Sequence, residues 1–380
     1  MNEAQIQNNY PKGRLVSLDA FRGFTMMSMV LVNNAGDWEH IYSPLEHAKW
    51  NGCTFTDLIF PFFLFIVGVS MSFSFAKRLQ SGGDNSPLIR QLIRRSLIIF
   101  ALGLFLNALG NFDLHTIRIP GVLQRIAICY FAVGWIVIGL SPFWQWMSAF
   151  ALLSVYWIGM LFIPVPGYGA GVIEPVGNFC WWIDNHTLGG HTWPNAPAAG
   201  FDPEGVFSTL PAIVTTLLGY FAGTWLRSHQ EEKSRLIGLF LSGDACLLLG
   251  YILTAWMPFN KNLWTVPYVF LTAGLALHLL AFFYLIIDVF GYRKWAVPFL
   301  VFGSNAIFVY VLSSIGGELL GMISIGQGEA RMDAISWIVQ NLFAPWTSPV
   351  NASLLYAIAF VLFWLGATSI LYCKRIFIKI

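Results

Sequence analysis

Ten segments of nearly unbroken apolar sequence divide the chain, at about 17–34, 55–76, 93–110, 121–140, 145–163, 206–226, 236–256, 265–287, 296–315 and 352–372. Each is long enough to cross about 30 Å of hydrocarbon at 1.5 Å per residue. Barrel strands would need short alternating segments, and a run such as LIFPFFLFIVGV does not alternate. The expected fold is therefore all-α, a polytopic transmembrane helix bundle of about ten spans. Hydrophobic residues make up 57% of the 380 positions, charged residues 11%, and the mean hydropathy is +0.65. That balance excludes a water-soluble globule, a disordered chain and a nucleic-acid binder. The first apolar run follows Arg14, Asp19 and Arg22 and leads into NNAGDWEH, with no small-residue cleavage site, so it is read as a retained span.

Orientation follows from the basic residues. With both termini cytoplasmic, the inner segments collect Lys12, Arg14 and Arg22; Lys77, Arg78, Arg90, Arg94 and Arg95; Arg227, Lys233 and Arg235; Arg293 and Lys294; and Lys374, Arg375 and Lys379. Lys49, Arg118, Lys261 and Arg331 fall on the other face and Arg125 within a span. This asymmetry and an even number of spans agree with each other. Most acidic residues lean outward, Glu329 among them. Residues 164–205, rich in Gly, Pro, Trp and Asn, form one long outer loop whose aromatics, with the pair Trp181–Trp182, and few charges favour an ordered cap over a disordered connector. The chain reads as a single domain over 1–380. Cys53, Cys129, Cys180, Cys246 and Cys373 make no CxxC pair, and neither a disulfide framework nor a metal site is expected.

Chemistry must then come from polar groups at the rims of the spans. His47 opens HAKWNGCTFTDLIFPFF, next to Trp50 and Asn51 and ten residues before Asp57. An imidazole there can serve as base or nucleophile. Spacing alone favours an interfacial histidine bonded to backbone over a catalytic one, and His40, His115, His186 and His191 share the same face. Arg125 lies about a turn inside a span, where an unpaired guanidinium costs a few kcal/mol. It is either an anion site, with Arg118 and Gln124 of RIPGVLQR, or one half of an ion pair with Asp57 or Asp113. Asp202 and Glu204 in FDPEG read as helix caps, and Glu204 also as a carboxylate for a cationic amine. Asn33 ends the first span and Asn305 enters the ninth. His278 and Asp244 are polar residues that glue helices together.

The motifs RLVSLDAFRG, HAKWNGCTFTDLIFPFFLFIVG, RIPGVLQR, FDPEG, NKNLW and FGSNAIFVYV occur in that order over 14–311. Together they resemble the heparan-α-glucosaminide N-acetyltransferase family of transmembrane enzymes; the H-x-x-W-N-G run with TDLIFPFF is the specific part. The resemblance implies that His47 is the catalytic residue and that Asn33 shares its site. The Asn33–His47 linker is longer than in the lysosomal member, and that member's luminal N-terminal domain has no counterpart here; the second difference is what is expected of a bacterial relative in the inner membrane.

What the resemblance implies is acetyl transfer from cytosolic acetyl-CoA to a glucosamine-type amine on the outer face, without a metal and with homodimerisation as a family-level expectation. Such chemistry calls for cations for the CoA phosphates, with Arg118, Arg125 and Arg22 as candidates beside Gln124, and Arg94 and Arg95 behind them. It calls for a base, His47, either removing a proton from the amine or acetylated first. Asn33 is placed to stabilise an oxyanion; Asp57, ten residues after His47, is a candidate to orient the imidazole on chemistry alone, with no such role in the family pattern. Trp50, Asn51, Glu204 and Asn305 are the candidates for acceptor binding. Two other readings remain: an amino-sugar permease without chemistry, and O-acetylation of a glycan hydroxyl.

Overall fold

The computed structural model describes residues 15–80, 83–110, 112–113, 115–326 and 331–378. Lys12, Arg14, Glu329 and Lys379, used above for the charge asymmetry, lie outside them. Among the described residues thirteen α-helices are present. In chain order they are α1 (Val16–Val32), α2 (Phe55–Gln80), α3 (Ser86–Ala108), α4 (Val122–Gly139), α5 (Pro142–Phe162), α6 (Phe179–Thr187), α7 (Thr209–Leu226), α8 (Glu232–Leu253), α9 (Val266–Phe283), α10 (Val297–Ser304), α11 (Ala306–Met322), α12 (Ala334–Ile338) and α13 (Pro349–Cys373). A π-helical stretch, Tyr284–Val289, extends α9, and Ser324–Ile325 pairs antiparallel with Met332–Asp333.

Every one of the ten apolar segments is helical, but the spans differ in kind. Among the described residues seven helices are individually long and apolar enough to cross a membrane: α2, α4, α5, α7, α8, α9 with its π extension, and α13. The ninth segment is two helices, α10 and α11, bent by 74° at Asn305; taken as one broken span it makes eight. α1 has only 17 residues. α3 carries Arg90, Arg94 and Arg95 in its first half. Length and hydropathy thus make this a multi-pass membrane protein.

The helices group into two compact units. One comprises residues up to His47, Thr54–Ile59 and Phe282 onward; the other comprises Ala48–Cys53 and Phe60–Ala281. In the first, α1 and α10 approach until backbone meets backbone: a Cβ on Gly23 would collide with the Phe299 carbonyl, and one on Gly303 with the Asp19 carbonyl. Small residues permit such contact in place of a hydrophobic drive that lipid does not supply. Phe21, Phe24, Phe283, Trp295 and Phe299 seal it with stacked and edge-on rings. In the second unit the same device joins α2 to α7, where Gly68 faces the Thr216 carbonyl and Gly219 the Phe65 carbonyl.

One end of the second unit is built from the α3–α4, α5–α7 and α8–α9 connections. Asn107 donates to the Arg118 and Pro120 carbonyls, Trp50 Nε1 to the Ile173 carbonyl, and Asn260 to Asn51 Oδ1. The loop at 164–205 is folded rather than a bare connector. Asn178 caps α6 by accepting from Trp181 N at 2.8 Å, and Asn178, Asp184, Phe201 and Asp202 are all fully buried. The opposite end carries the α2–α3 and α7–α8 connections, where Arg227 donates to the Ser72 carbonyl and Arg78 to Gln91.

Candidate active site

His47 and Asp57 meet. His47 Nδ1 lies 2.6 Å from Asp57 Oδ1; Asp57 is buried, whereas half of the imidazole surface is exposed. Asp57 stands in the first turn of α2, and its other oxygen accepts from both the backbone N–H and the hydroxyl of Thr54 at 3.0 Å. Thr54 and Asp57 stand three apart at the helix start, the spacing of a capping box, and that local rule aims the carboxylate. The Thr54 hydroxyl also reaches the Glu46 carbonyl at 2.7 Å, tying the segment before His47 to the helix start. A carboxylate accepting from Nδ1–H fixes the neutral tautomer and leaves the basic lone pair on Nε2. Such a pair can take up a proton, or add to a carbonyl carbon, with its orientation already set.

The competing histidines are disposed otherwise. His186 and His191 face the backbone carbonyls of Trp182 and Ile117. His40 faces Asp37 at 2.7 Å, a second histidine–carboxylate pair that the sequence did not single out. Asn33 is the exposed C-cap residue of α1, while its neighbour Asn34 folds back on the Val30 carbonyl.

The charged cluster of the second unit differs from its sequence reading. Arg118 grips Asp202 bidentately at 2.7 and 2.8 Å and Glu204 at 2.5 Å, over the Trp193 ring. Asp202 and Glu204 therefore do not cap the following helix: α7 begins at Thr209 with Ser208 at its N-cap position. Burial alone would raise the Glu204 carboxyl, but the Arg118 charge, helped by Lys261 and Arg125, holds it below its ordinary range. Arg125 pairs with neither Asp57 nor Asp113. It is 1% exposed, lies over Trp264, and donates through Nη2 to the Gly205 carbonyl at 3.1 Å and the Ser208 hydroxyl at 2.5 Å. Its Nε and Nη1, like the Nε2 of its sequence neighbour Gln124, are buried without a hydrogen-bond partner and are free to donate to an acceptor oxygen.

Asp184 of α6 is the organising residue that sequence reasoning missed. Fully buried, it accepts from Val206 N at 2.9 Å and Asp202 N at 3.3 Å, so it holds the strand of loop that feeds Arg118 and Arg125. Burial pushes its carboxyl up to about 7, against the pull of those two N–H groups. The only sequence signal was one acid inside the aromatic run FCWWIDNHT.

Of the remaining sequence candidates, Arg22 pairs with Asp19 at 3.0 Å on α1. Asn305 is the residue at the helix break; it donates to the Ile376 carbonyl and accepts from Ile378 N, anchoring the C-terminal segment. Trp50 and Asn51 are docked on the second unit through Ile173 and Asn260. His278 and Asp244 do join helices, at 3.0 Å. Among the described residues no cluster of three or more metal-ligating side chains occurs.

Membrane-length helices define a multi-pass membrane protein, and in it a histidine is aimed by a buried carboxylate. The family model for heparan-α-glucosaminide N-acetyltransferase, catalytic, matches residues 14–254. The chain is 30% identical to the mouse (Mus musculus) heparan-α-glucosaminide N-acetyltransferase and 31% identical to the human (Homo sapiens) one, in each case over 78% of its own length. It spans about half the length of these curated relatives, 53% and 52%. The chain belongs to this family of N-acyltransferases.

Proposed function

We propose that the protein transfers the acetyl group of cytosolic acetyl-CoA to the amine of a glucosamine-type sugar on the outer face of the inner membrane, as one acyltransferase domain with both termini cytoplasmic. The observation that carries the proposal is the 2.6 Å contact between His47 Nδ1 and the buried Asp57 carboxylate. Neutral His47 takes the proton from the attacking amine through Nε2, or adds to the thioester carbonyl itself so that the C–S bond breaks and the thiolate leaves. Asp57 stabilises the positive ring in either route, and Asn33 donates to the developing oxyanion. Trp50, Asn51 and Glu204 serve the acceptor side. Arg118 and Arg22 are neutralised by carboxylates, so the CoA phosphates are assigned to the basic end of the second unit, where Arg90, Arg94 and Arg95 lie. Arg125 and Gln124 are left to receive a single oxygen or small anionic group.

The test is acetyl transfer from labelled acetyl-CoA to glucosamine by purified protein. His47→Ala should abolish turnover; retained activity in that variant would sink the mechanism. Rapid quenching before acceptor is added separates the routes, because only covalent transfer leaves label on the protein. The 74° break at Asn305 favours a second reading, since discontinuous helices line transporter sites. Uptake of glucosamine into proteoliposomes without acetyl-CoA would decide for a permease.

A further inference from the structure

Helix α13 ends in a turn that ordinarily takes glycine. The Arg375 N–H donates to the Tyr372 carbonyl at 3.1 Å and the Ile376 N–H to the Leu371 carbonyl at 2.9 Å, the paired bonds of a Schellman motif. That motif needs one left-handed residue, and here it is Arg375, at φ 57°. The turn leads the next residues to the break between α10 and α11. There Asn305, 2% exposed, donates through Nδ2 to the Ile376 carbonyl at 3.1 Å and accepts from the Ile378 N–H at 2.7 Å. One buried amide thus grips the backbone on both sides of Phe377. These bonds hold only the backbone of the tail, whose side chains stay exposed: Ile376 is 45%, Phe377 40% and Ile378 42% exposed, and Lys374 and Arg375 are exposed as well.

Other basic and aromatic residues share this end of the first unit. Ser17 N donates to Asp288 Oδ2 at 3.1 Å, which sets the start of α1 beside the end of the π extension of α9. Gly36 N and Asp37 N donate to Ser353, which sets the other end of α1 beside the start of α13. The end of α13 therefore lies with the α9–α10 connection. That connection adds Arg293 and Lys294, with Tyr292 67% and Trp295 40% exposed. Asp19 and Asp288 at the same end are engaged by Arg22 and Ser17. A segment that directly follows a membrane-length helix lies at the membrane surface, where cationic side chains meet headgroup phosphates and apolar ones enter the acyl boundary. We propose that residues 374–378, with Arg293 and Lys294, form a binding surface for anionic lipid headgroups. Lipid then holds the tail by its side chains and Asn305 holds it by its backbone, so that bound lipid keeps the span bent at its break. The proposal stands whatever group the protein transfers.

The full chain is reconstituted in phosphatidylcholine nanodiscs with and without phosphatidylglycerol, and backbone hydrogen exchange is followed in the peptide containing Ile376 and Ile378. In the wild type phosphatidylglycerol should slow exchange there by about tenfold, and high salt should remove most of that protection. It should also raise the Tm. Lys374→Gln combined with Arg375→Gln changes two exposed side chains, and this variant should exchange alike in both lipids with one Tm. Asn305→Ala should speed exchange of the tail in either lipid; the comparison of wild type with the Lys374 and Arg375 variant decides the matter even if Asn305→Ala does not fold. Equal exchange with and without phosphatidylglycerol in the wild type, or a full lipid response in the Lys374 and Arg375 variant, overturns the surface. Protection of the tail by free CoA in phosphatidylcholine alone overturns it too, because the cations would then serve a soluble polyanion.

Discussion

At the scale of single residues, two carboxylates do opposite work. Asp57 is aimed by Thr54 and in turn fixes the tautomer of His47. Asp57→Asn keeps the volume and removes the charge that stabilises a protonated ring, so kcat should fall by about 10²–10⁴ with the acceptor KM little changed. Measured beside a thermal unfolding curve, a variant that is folded and fully active would refute the pair. Asp184 bears on stability instead. Its carboxyl, raised to about 7 by burial, binds a proton more tightly folded than unfolded. Folded protein therefore holds more protons between about pH 4 and pH 7, and stability must fall as pH rises through that window, by about 4 kcal/mol at the most. Below it the contribution is intact. Asp184→Asn should flatten the decline, so the wild-type Tm in detergent should drop relative to the variant from pH 5 to pH 8; parallel curves would show that the carboxyl does not titrate there. The His47–Asp57 pairing is partly readable in sequence, because the capping-box spacing Thr54–Asp57 is local. Asp184 is not, since its two partners lie 18 and 22 residues away in a loop without periodicity.

Among the elements, hydropathy located ten segments that are all helical, but among the described residues only seven helices, or eight with the bent pair counted as one, are long and apolar enough to span a membrane. What composition does not carry is how a span ends or breaks. The bend at Asn305 occurs inside FGSNAIFVY, where the apolar run continues and only the link from the Asn305 side chain to Ile376 and Ile378 betrays it. Arg118 was likewise visible as a loop arginine after which Pro120 and a helix follow, yet its carboxylates come from 84 and 86 residues on. Replacing it leaves Asp202 and Glu204 without the guanidinium they are bonded to. Arg118→Ala should therefore lose about 3–5 kcal/mol, read as a large fall in Tm or failure to purify. Arg118→Ala combined with Asp202→Asn and Glu204→Gln should recover part of it. A single variant as stable as the wild type would mean that the pair carries no structural burden. The glycine contacts make a second claim at this scale. Gly68→Ala and Gly219→Ala each place a methyl against a carbonyl of the partner helix, so either should force α2 and α7 apart and destabilise by about 1–3 kcal/mol, whereas Gly139→Ala, which meets nothing, should be silent.

For the molecule as a whole, the second unit is chemically polarised along its helices. One end gathers Arg118, Asp202, Glu204, Asp184 and Arg125 around aromatic loops; the other exposes Arg78, Arg90, Arg94 and Lys233, with Arg95 against the Tyr130 hydroxyl and Arg227 on the Ser72 carbonyl. The first end is internally neutralised and suits a neutral or cationic sugar. The second is an excess of positive charge with few acids, and suits a polyanion. On the proposed function, a donor held by its phosphates at the basic end extends its reactive group along the helices. Combining Arg90→Gln, Arg94→Gln and Arg95→Gln should raise the acetyl-CoA KM about tenfold or more, weaken the dependence of that KM on salt, and leave the acceptor KM alone. Arg90→Gln and Arg94→Gln alone should not alter Tm appreciably, because both side chains are exposed and exposed ionic contacts contribute little, whereas Arg95 is half-buried against Tyr130. If the acceptor KM rises instead while acetyl-CoA saturates normally, the two ends have been assigned the wrong way round, and the direction of acetyl transfer across the membrane must be reversed with them.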